Sequence, residues 1–355
     1  MCSFKTRTLL VMLLALWQML AQASGYVDVL DLPAKPSALA VRSPLLDVAN
    51  AGQRLVAVGQ RGHILYSDDD GKQWQQANVP VSSDLNAVHF PTAEQGWAVG
   101  NDGVVLHSSD AGVTWKKQLD GREIGALLVK HYAALADAEP GNEQWPLLVA
   151  DGQRLVEEGA DKPLLDVWFA NDRLGYVVGV FNLILRTEDG GQSWTPLQDR
   201  TDNPQSFHLN AIASTGDALY IVGEQGLVLK WDDSQQRFAA LATPYQGSYF
   251  GVVGKPGEVL VYGLRGNVLR STDAGLSWTP FESGLQVSVT AATVDAQGHY
   301  RMFSQAGHML VARDDNARLQ LVPQQNLSPV AGAALTADGS LVVVGARGAR
   351  ALLKE

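Results

Sequence analysis

The sequence predicts an all-β chain folded as a seven-bladed β-propeller, closed by pairing of its N- and C-terminal strands and carrying a small helical insertion. Three observations point there. Residues 99–115 read as a strand end, a tight glycine turn, a second strand and a second turn closed by Trp115, and the same frame returns at 58–74, 178–194 and 262–278. Looser copies occupy 222–238 and 303–319, and a seventh begins at 344. In six copies fifteen residues separate the first turn position (Gly59, Gly100, Gly179, Gly223, Gly263, Ser304) from the closing apolar residue. Four short strands per copy, repeated at this period, describe propeller blades.

Taken in order, residues 26–32, Tyr-Val-Asp-Val-Leu-Asp-Leu, read as one short strand, ended by Pro33 and Pro36. The blades start near Leu45, Leu85, Leu164, Leu209, Tyr249, Val289 and Val330. The last copy holds three strands, over 330–335, 341–345 and 349–353, so the N-terminal strand is expected to supply its fourth and leave no open sheet edge. Three residues after each first turn position stand Gly62, Gly103, Asn182, Gly226, Gly266, Gly307 and Gly348, residue types that accept a positive φ in a tight hairpin. Leu65, Leu106, Leu185, Leu229, Leu269 and Leu310 follow as an apolar column between blades.

The second turn carries a hydroxyl-x-Asp-x-Gly-x-x-Trp pattern. It appears as Ser67, Asp69, Gly71 and Trp74; as Ser108, Asp110, Gly112 and Trp115; as Thr187, Asp189, Gly191 and Trp194; and as Ser271, Asp273, Gly275 and Trp278. The hydroxyl and carboxylate bond amides of their own turn, and the indole plugs the seam between sheets. The repeated aspartates are therefore read as structural rather than as a catalytic or calcium set.

Residues 121–162 interrupt the period. Ile124, Leu127, Leu128, His131, Tyr132 and Leu135 lie at three- and four-residue spacings, an amphipathic helix over 122–137. Pro140-Gly141 ends it, and 145–156 is expected to form a hairpin around Asp151-Gly152. The domain plan is thus a 1–23 leader, a 24–44 arm with the closing strand, and a 45–355 propeller holding the 121–162 insertion.

Composition agrees with an ordered, exported body. The 355 residues are 46% hydrophobic and 18% charged, enough for a sizeable core. Residues 1–23 read as a cleaved secretory signal: Lys5 and Arg7, an apolar run over 9–20, then Ala21-Gln22-Ala23. The chain is therefore expected to be exported to the periplasm. The single cysteine, Cys2, lies inside that signal, which leaves the mature chain without thiol, disulfide or cysteine metal site. Loss of the signal removes two basic and no acidic side chains, taking the net charge from −10 to −12. So acidic a chain is unsuited to general nucleic-acid binding.

With these copies laid out, the chain resembles the bacterial-neuraminidase (Asp-box) repeat propellers, and more closely the photosystem II stability/assembly factor family. The resemblance rests on the Val-Gly-x-x-Gly turns, the Asp-box copies, and a blade opening at Asp161-Lys162-Pro163-Leu164-Leu165-Asp166-Val167-Trp168-Phe169 followed by Gly175-Tyr176-Val177-Val178-Gly179. It covers about residues 45–355. It implies a non-enzymatic, seven-bladed lumenal or periplasmic propeller that binds membrane-protein intermediates, without cofactor, as a monomer, its partner an envelope membrane complex or an assembly intermediate of one.

The rival reading is a sialidase-like glycoside hydrolase, or a propeller that passively binds glycan or peptide. Sialidases resemble one another in an Arg-Ile-Pro before the first box and a Tyr–Glu pair; this chain has Arg42-Ser43-Pro44 and no clear pair in its inner strands. His63, His89, His107, His131, His208, His299 and His308 show no metal-ligand spacing. The candidate working surface lies in the first turns, whose second intervening positions are Arg61, Asp102, Phe181, Gln225, Arg265, Ala306 and Arg347. These turns share the insertion's face of the ring, over which the insertion is expected to lie as a partial lid. Arg61, Arg265 and Arg347, with Arg350 and Phe181, are expected to dock an acidic or polar segment of a partner protein.

Overall fold

The computed structural model describes residues 27–312, 318–324 and 327–352. Seven antiparallel sheets follow one another, six of four strands and the last of three. Their inner strands are Leu45–Ala51, Leu85–His89, Leu164–Phe169, Leu209–Ser214, Tyr249–Lys255, Val289–Val294 and Val330–Leu335. Four of the second strands, Gly96–Gly100, Gly175–Gly179, Leu219–Gly223 and Leu341–Gly345, are buried along their whole length, and the other three at all but one position. That is the state of a strand covered by neighbouring sheets on both faces. Every inner strand carries a one-residue bulge after its first position.

The second turns form as their chemistry requires. Ser67 Oγ donates to Asp69 Oδ1 and accepts from Gly71 N, Asp69 Oδ1 accepts from Gln73 N, and Trp74 Nε1 donates to the Gly71 carbonyl. The copy at Ser108 repeats these bonds, and those at Thr187 and Ser271 repeat all but the indole's. Each indole sits in the seam with the preceding blade: Trp74 among Leu55 and Val342, Trp115 among Val56 and Leu106, and Trp194 among Trp97 and Leu185. The leucine column lies in the same seams.

Ring closure differs from the expected strand exchange. The three-stranded seventh sheet gains no strand from residues 27–32, and Tyr26 lies outside the described residues, as does the whole 1–23 leader. Asp28 Oδ1 instead accepts from Leu30 N, and Asp31 N bonds the Asp28 carbonyl, so the segment curls into a turn. Leu30 is buried in the seam of blades 1 and 2 with Val56, Val81 and Trp115, and Val29 O accepts from Ser82 N. Blades 7 and 1 close by face-to-face packing of Leu45, Val48 and Leu55 on Ala334, Val342 and Val344. Asn50 Nδ2 adds a bond to the Leu335 carbonyl at 2.8 Å.

The insertion is a pair of helices, α1 (Gly121–Ala138) and α2 (Gln144–Glu158), rather than a helix and a hairpin. Asp120 caps α1 by accepting from Arg122 N at 3.1 Å. The Asp151-Gly152 pair that suggested a turn serves a helix crossing. A Cβ on Gly152 would stand 2.9 Å from Val129 N, and one on Gly125 would stand 2.6 Å from Val156 N. The apolar runs on either side of Asp151-Gly152 mimicked the arms of a hairpin because small residues at the contact interrupt the helical period. α1 leaves beside the first turn of blade 2, with Gly121 against the Asp102 carbonyl. Its Tyr132 reaches Gln198 and Asp199, past the outer strand of blade 3, at 2.8 and 3.1 Å. The insertion thus seats on the outer part of blades 2 and 3 rather than folding over the channel as a lid.

Candidate functional site

All seven first turns lie on one face. In six of them, Gln60, Asn101, Val180, Glu224, Leu264 and Gln305 each donate a backbone N–H to the residue just before the inner strand of their own blade. Five turns hold a non-glycine residue in the left-handed region: Arg61 (φ 59), Asp102 (φ 59), Phe181 (φ 53), Gln225 (φ 53) and Arg265 (φ 58). Such conformations persist only where the surrounding structure imposes them, and here each fixes the direction of a side chain at the face.

Arg61, Arg265 and Arg347 are exposed, and none pairs with a carboxylate among the described residues. The backbone N–H of Arg61 is held by Asp84 Oδ1 at 2.7 Å. Arg350 is half-buried, its Nη2 reaching the Ser328 carbonyl at 3.5 Å. Burial, and then the neighbouring Arg347 charge, pull its guanidinium below the ordinary value. The structure adds Arg42, which sequence reasoning missed as a surface group. The short turn Ala40–Arg42 packs on the third strand of blade 7, where a Cβ on Gly348 would stand 1.8 Å from the Val41 carbonyl and 2.8 Å from Arg42 Cα. Arg42, Arg347 and Arg350 therefore share blade 7, Arg61 stands on the adjoining turn of blade 1, and Arg265 lies two blades away.

Phe181 belongs to a different quarter of the same face. It is 57% exposed, and its ring meets His208 edge-on at 4.7 Å. His208 Nδ1 accepts from Phe181 N at 3.2 Å and lies 3.3 Å from Glu224.

Deeper in the ring, side chains tie each blade to the next. Odd blades use Asp47 to Val88 N (2.9 Å) and Asp166 to Ile212 N (2.8 Å), with Tyr262 bonding the Ala292 backbone. Even blades use Asn86 to the Leu164 carbonyl (2.9 Å), Asn210 to the Tyr249 carbonyl (2.8 Å) and Thr290 to the Val330 carbonyl. Burial pushes the Asp47 carboxyl up to about 6, against its two backbone bonds. Asp166 rises to about 7 through burial and the charge of Asp47. The signal for this belt was the shared Leu-Leu-Asp-Val of blades 1 and 3. Each carboxylate is spent on backbone amides, so these groups serve as girders. No cluster of three or more metal-ligating side chains occurs among the described residues.

The model of the family described as "Photosynthesis system II assembly factor YCF48" matches residues 30–127 and 149–350. The chain belongs to this family. The gap in the match, residues 128–148, falls within the helical insertion of this YCF48-family chain.

The chain is similar to the photosystem II assembly lipoprotein Ycf48 of Synechococcus sp. (strain CC9902), 26% identical over 199 residues that make up 54% of this chain and 58% of that one. It is similar also to the photosystem II stability/assembly factor HCF136, chloroplastic, of Oryza sativa subsp. japonica, 25% identical over 38% of this chain and 35% of the relative. The matches thus span roughly a third to just over half of these relatives' own lengths. Among solved structures, YCF48 bound to D1 peptide superposes with a TM-score of 0.65 at 15% identity, over 89% of this chain and 95% of that one. The WD40 propeller domain of Doa1 gives 0.62 at 12% identity, over 94% and 98%. At such identities the superpositions speak for the propeller fold alone.

Proposed function

We propose that this YCF48-family chain is a non-enzymatic, exported assembly or stability factor that docks an acidic or polar segment of an envelope membrane-protein complex on its first-turn face. The observation that carries this reading is the gathering of Arg42, Arg61 and Arg347, with Arg265 on the same face, all exposed and unpaired with described carboxylates, in a chain of net charge −10. A guanidinium presents a flat fork of donors that fits carboxylates and backbone carbonyls, and arginine is enriched at binding hot spots. Family membership and the names of its relatives support the assembly role. The basic, apolar and Ala-x-Ala pattern of residues 1–23 supports export.

The test is capture of solubilised envelope proteins from the source organism on immobilised mature chain, with the bound species identified by mass spectrometry. Replacing Arg61, Arg265 and Arg347 together by Glu is expected to abolish capture of a membrane-complex subunit and to leave the melting temperature nearly unchanged. Undiminished capture by the triple variant overturns the docking face.

A further inference from the structure

Blade 4 breaks the second-turn pattern in a way the assembly role does not use. Where the intact copies place a buried hydroxyl (Ser67, Ser108, Thr187, Ser271), blade 4 places Trp231, and Phe238 takes the seam position of the closing tryptophan. An indole cannot occupy the space of a hydroxyl. It therefore stands half-buried beside blade 3, 5.0 Å from the Phe238 ring and 6.0 Å from Tyr176. Asp233 Oδ1 fixes it by accepting from Nε1 at 2.7 Å. Trp168, near the end of the inner strand of blade 3, lies on the other side of Tyr176 at 6.3 Å.

Trp168, Tyr176 and Trp231 together wall an open groove of about 690 Å³, rimmed by Ser214, Asp217 and Asp233. Its size lies in the range of small-molecule sites, about 300–1,000 Å³. The turns that form its rim alternate in the chain with the first turns, which puts the groove on the face opposite the arginines.

Charge decides what the groove fits. The place a cation would take between Tyr176 and Trp231 is already filled, because Arg186 Cζ stands 5.9 Å from both rings and is paired with Glu188 at 2.6 Å. An anion would meet Asp217, Asp232 and Asp233, against which the groove sets one lysine, Lys230, whose Nζ is turned to the Ala274 carbonyl at 3.5 Å. A neutral polyhydroxylated ring meets neither obstacle. The apolar C–H face of a pyranose packs on an indole, and its hydroxyls donate to carboxylates, of which Asp233 Oδ2 accepts nothing from the described residues. We infer that the groove between blades 3 and 4 binds a neutral oligosaccharide, stacked on Trp168 and Trp231 and hydrogen-bonded to Asp217 and Asp233.

The test is calorimetric titration of the mature chain with maltohexaose, cellohexaose, chitohexaose and, as the cationic comparison, hexalysine. Saturable binding of at least one oligosaccharide is expected, weakened at least about tenfold, or about 1.4 kcal/mol, by Trp231→Ser, which restores the hydroxyl of the intact turns, and by Trp168→Ala. The Arg61, Arg265 and Arg347 charge-reversal variant is expected to bind the oligosaccharide normally, so this result stands or falls apart from the docking face. Absence of saturable binding by all three oligosaccharides, binding undiminished in a folded Trp231→Ser variant, or preferential binding of hexalysine overturns the inference.

Discussion

Asp47 and Asp166 hold the same place two blades apart, and each reaches across to a backbone amide of the following blade, Val88 N at 2.9 Å and Ile212 N at 2.8 Å. Both carboxyls titrate above the ordinary 3.8, near 6 and 7, chiefly because burial disfavours the charge. The folded state then holds these protons more tightly than the unfolded chain, so stability falls as pH rises through about 4 to 7. Each tenfold tightening of proton binding corresponds to about 1.4 kcal/mol. The melting temperature of the wild-type chain is expected to decline across that window, and the Asp47→Asn, Asp166→Asn double variant to lose most of the decline. An unchanged pH slope in the folded double variant refutes this.

The seam indoles predict a second result. Trp115 is 4% exposed and packs in the interface of blades 1 and 2. Trp115→Ala is expected to cost roughly 3–5 kcal/mol, read as a lowered denaturant midpoint. Trp231→Ser, at a half-buried position, should cost much less.

The arm predicts a third. Leu30 is buried between blades 1 and 2, and Asp31 pairs with Arg122 of α1 at 2.8 Å. Deleting residues 24–33 should lower the melting temperature and expose α1 to protease before the rest of the ring. Protease cleavage appearing first in blade 7 would instead favour a closing strand.

Arg42 predicts a fourth. Its turn brings it beside Gly348 on blade 7, next to Arg347. Arg42→Glu is expected to weaken partner capture measurably on its own, with unchanged folding. Capture equal to wild type in a binding titration would remove Arg42 from the docking face.

Seven blades, the register of their turns and the tryptophan seams were legible in the chain because each depends on residues close in sequence. A hydroxyl, an aspartate and a glycine at fixed spacing bond one another's backbone whatever surrounds them. The arginine turns were legible for the same reason, as were Phe181 and the emergence of the insertion on their face. What local pattern could not settle was partnership. Residues 27–32 carry the valines and leucines of a strand, but whether they pair with blade 7 depends on competing surfaces far along the chain, and the pocket around Trp115 took Leu30 instead. Asp151-Gly152 has turn chemistry, but close packing of α1 gave the glycine a helical use. Arg42 joined the arginine face, and Trp231 opened a groove, only once neighbouring blades met. By itself the sequence determined the unit, its turns and the count of units. The tertiary structure alone decided which surfaces the connecting segments cover, because that choice is made by buried area and space between elements distant in the chain.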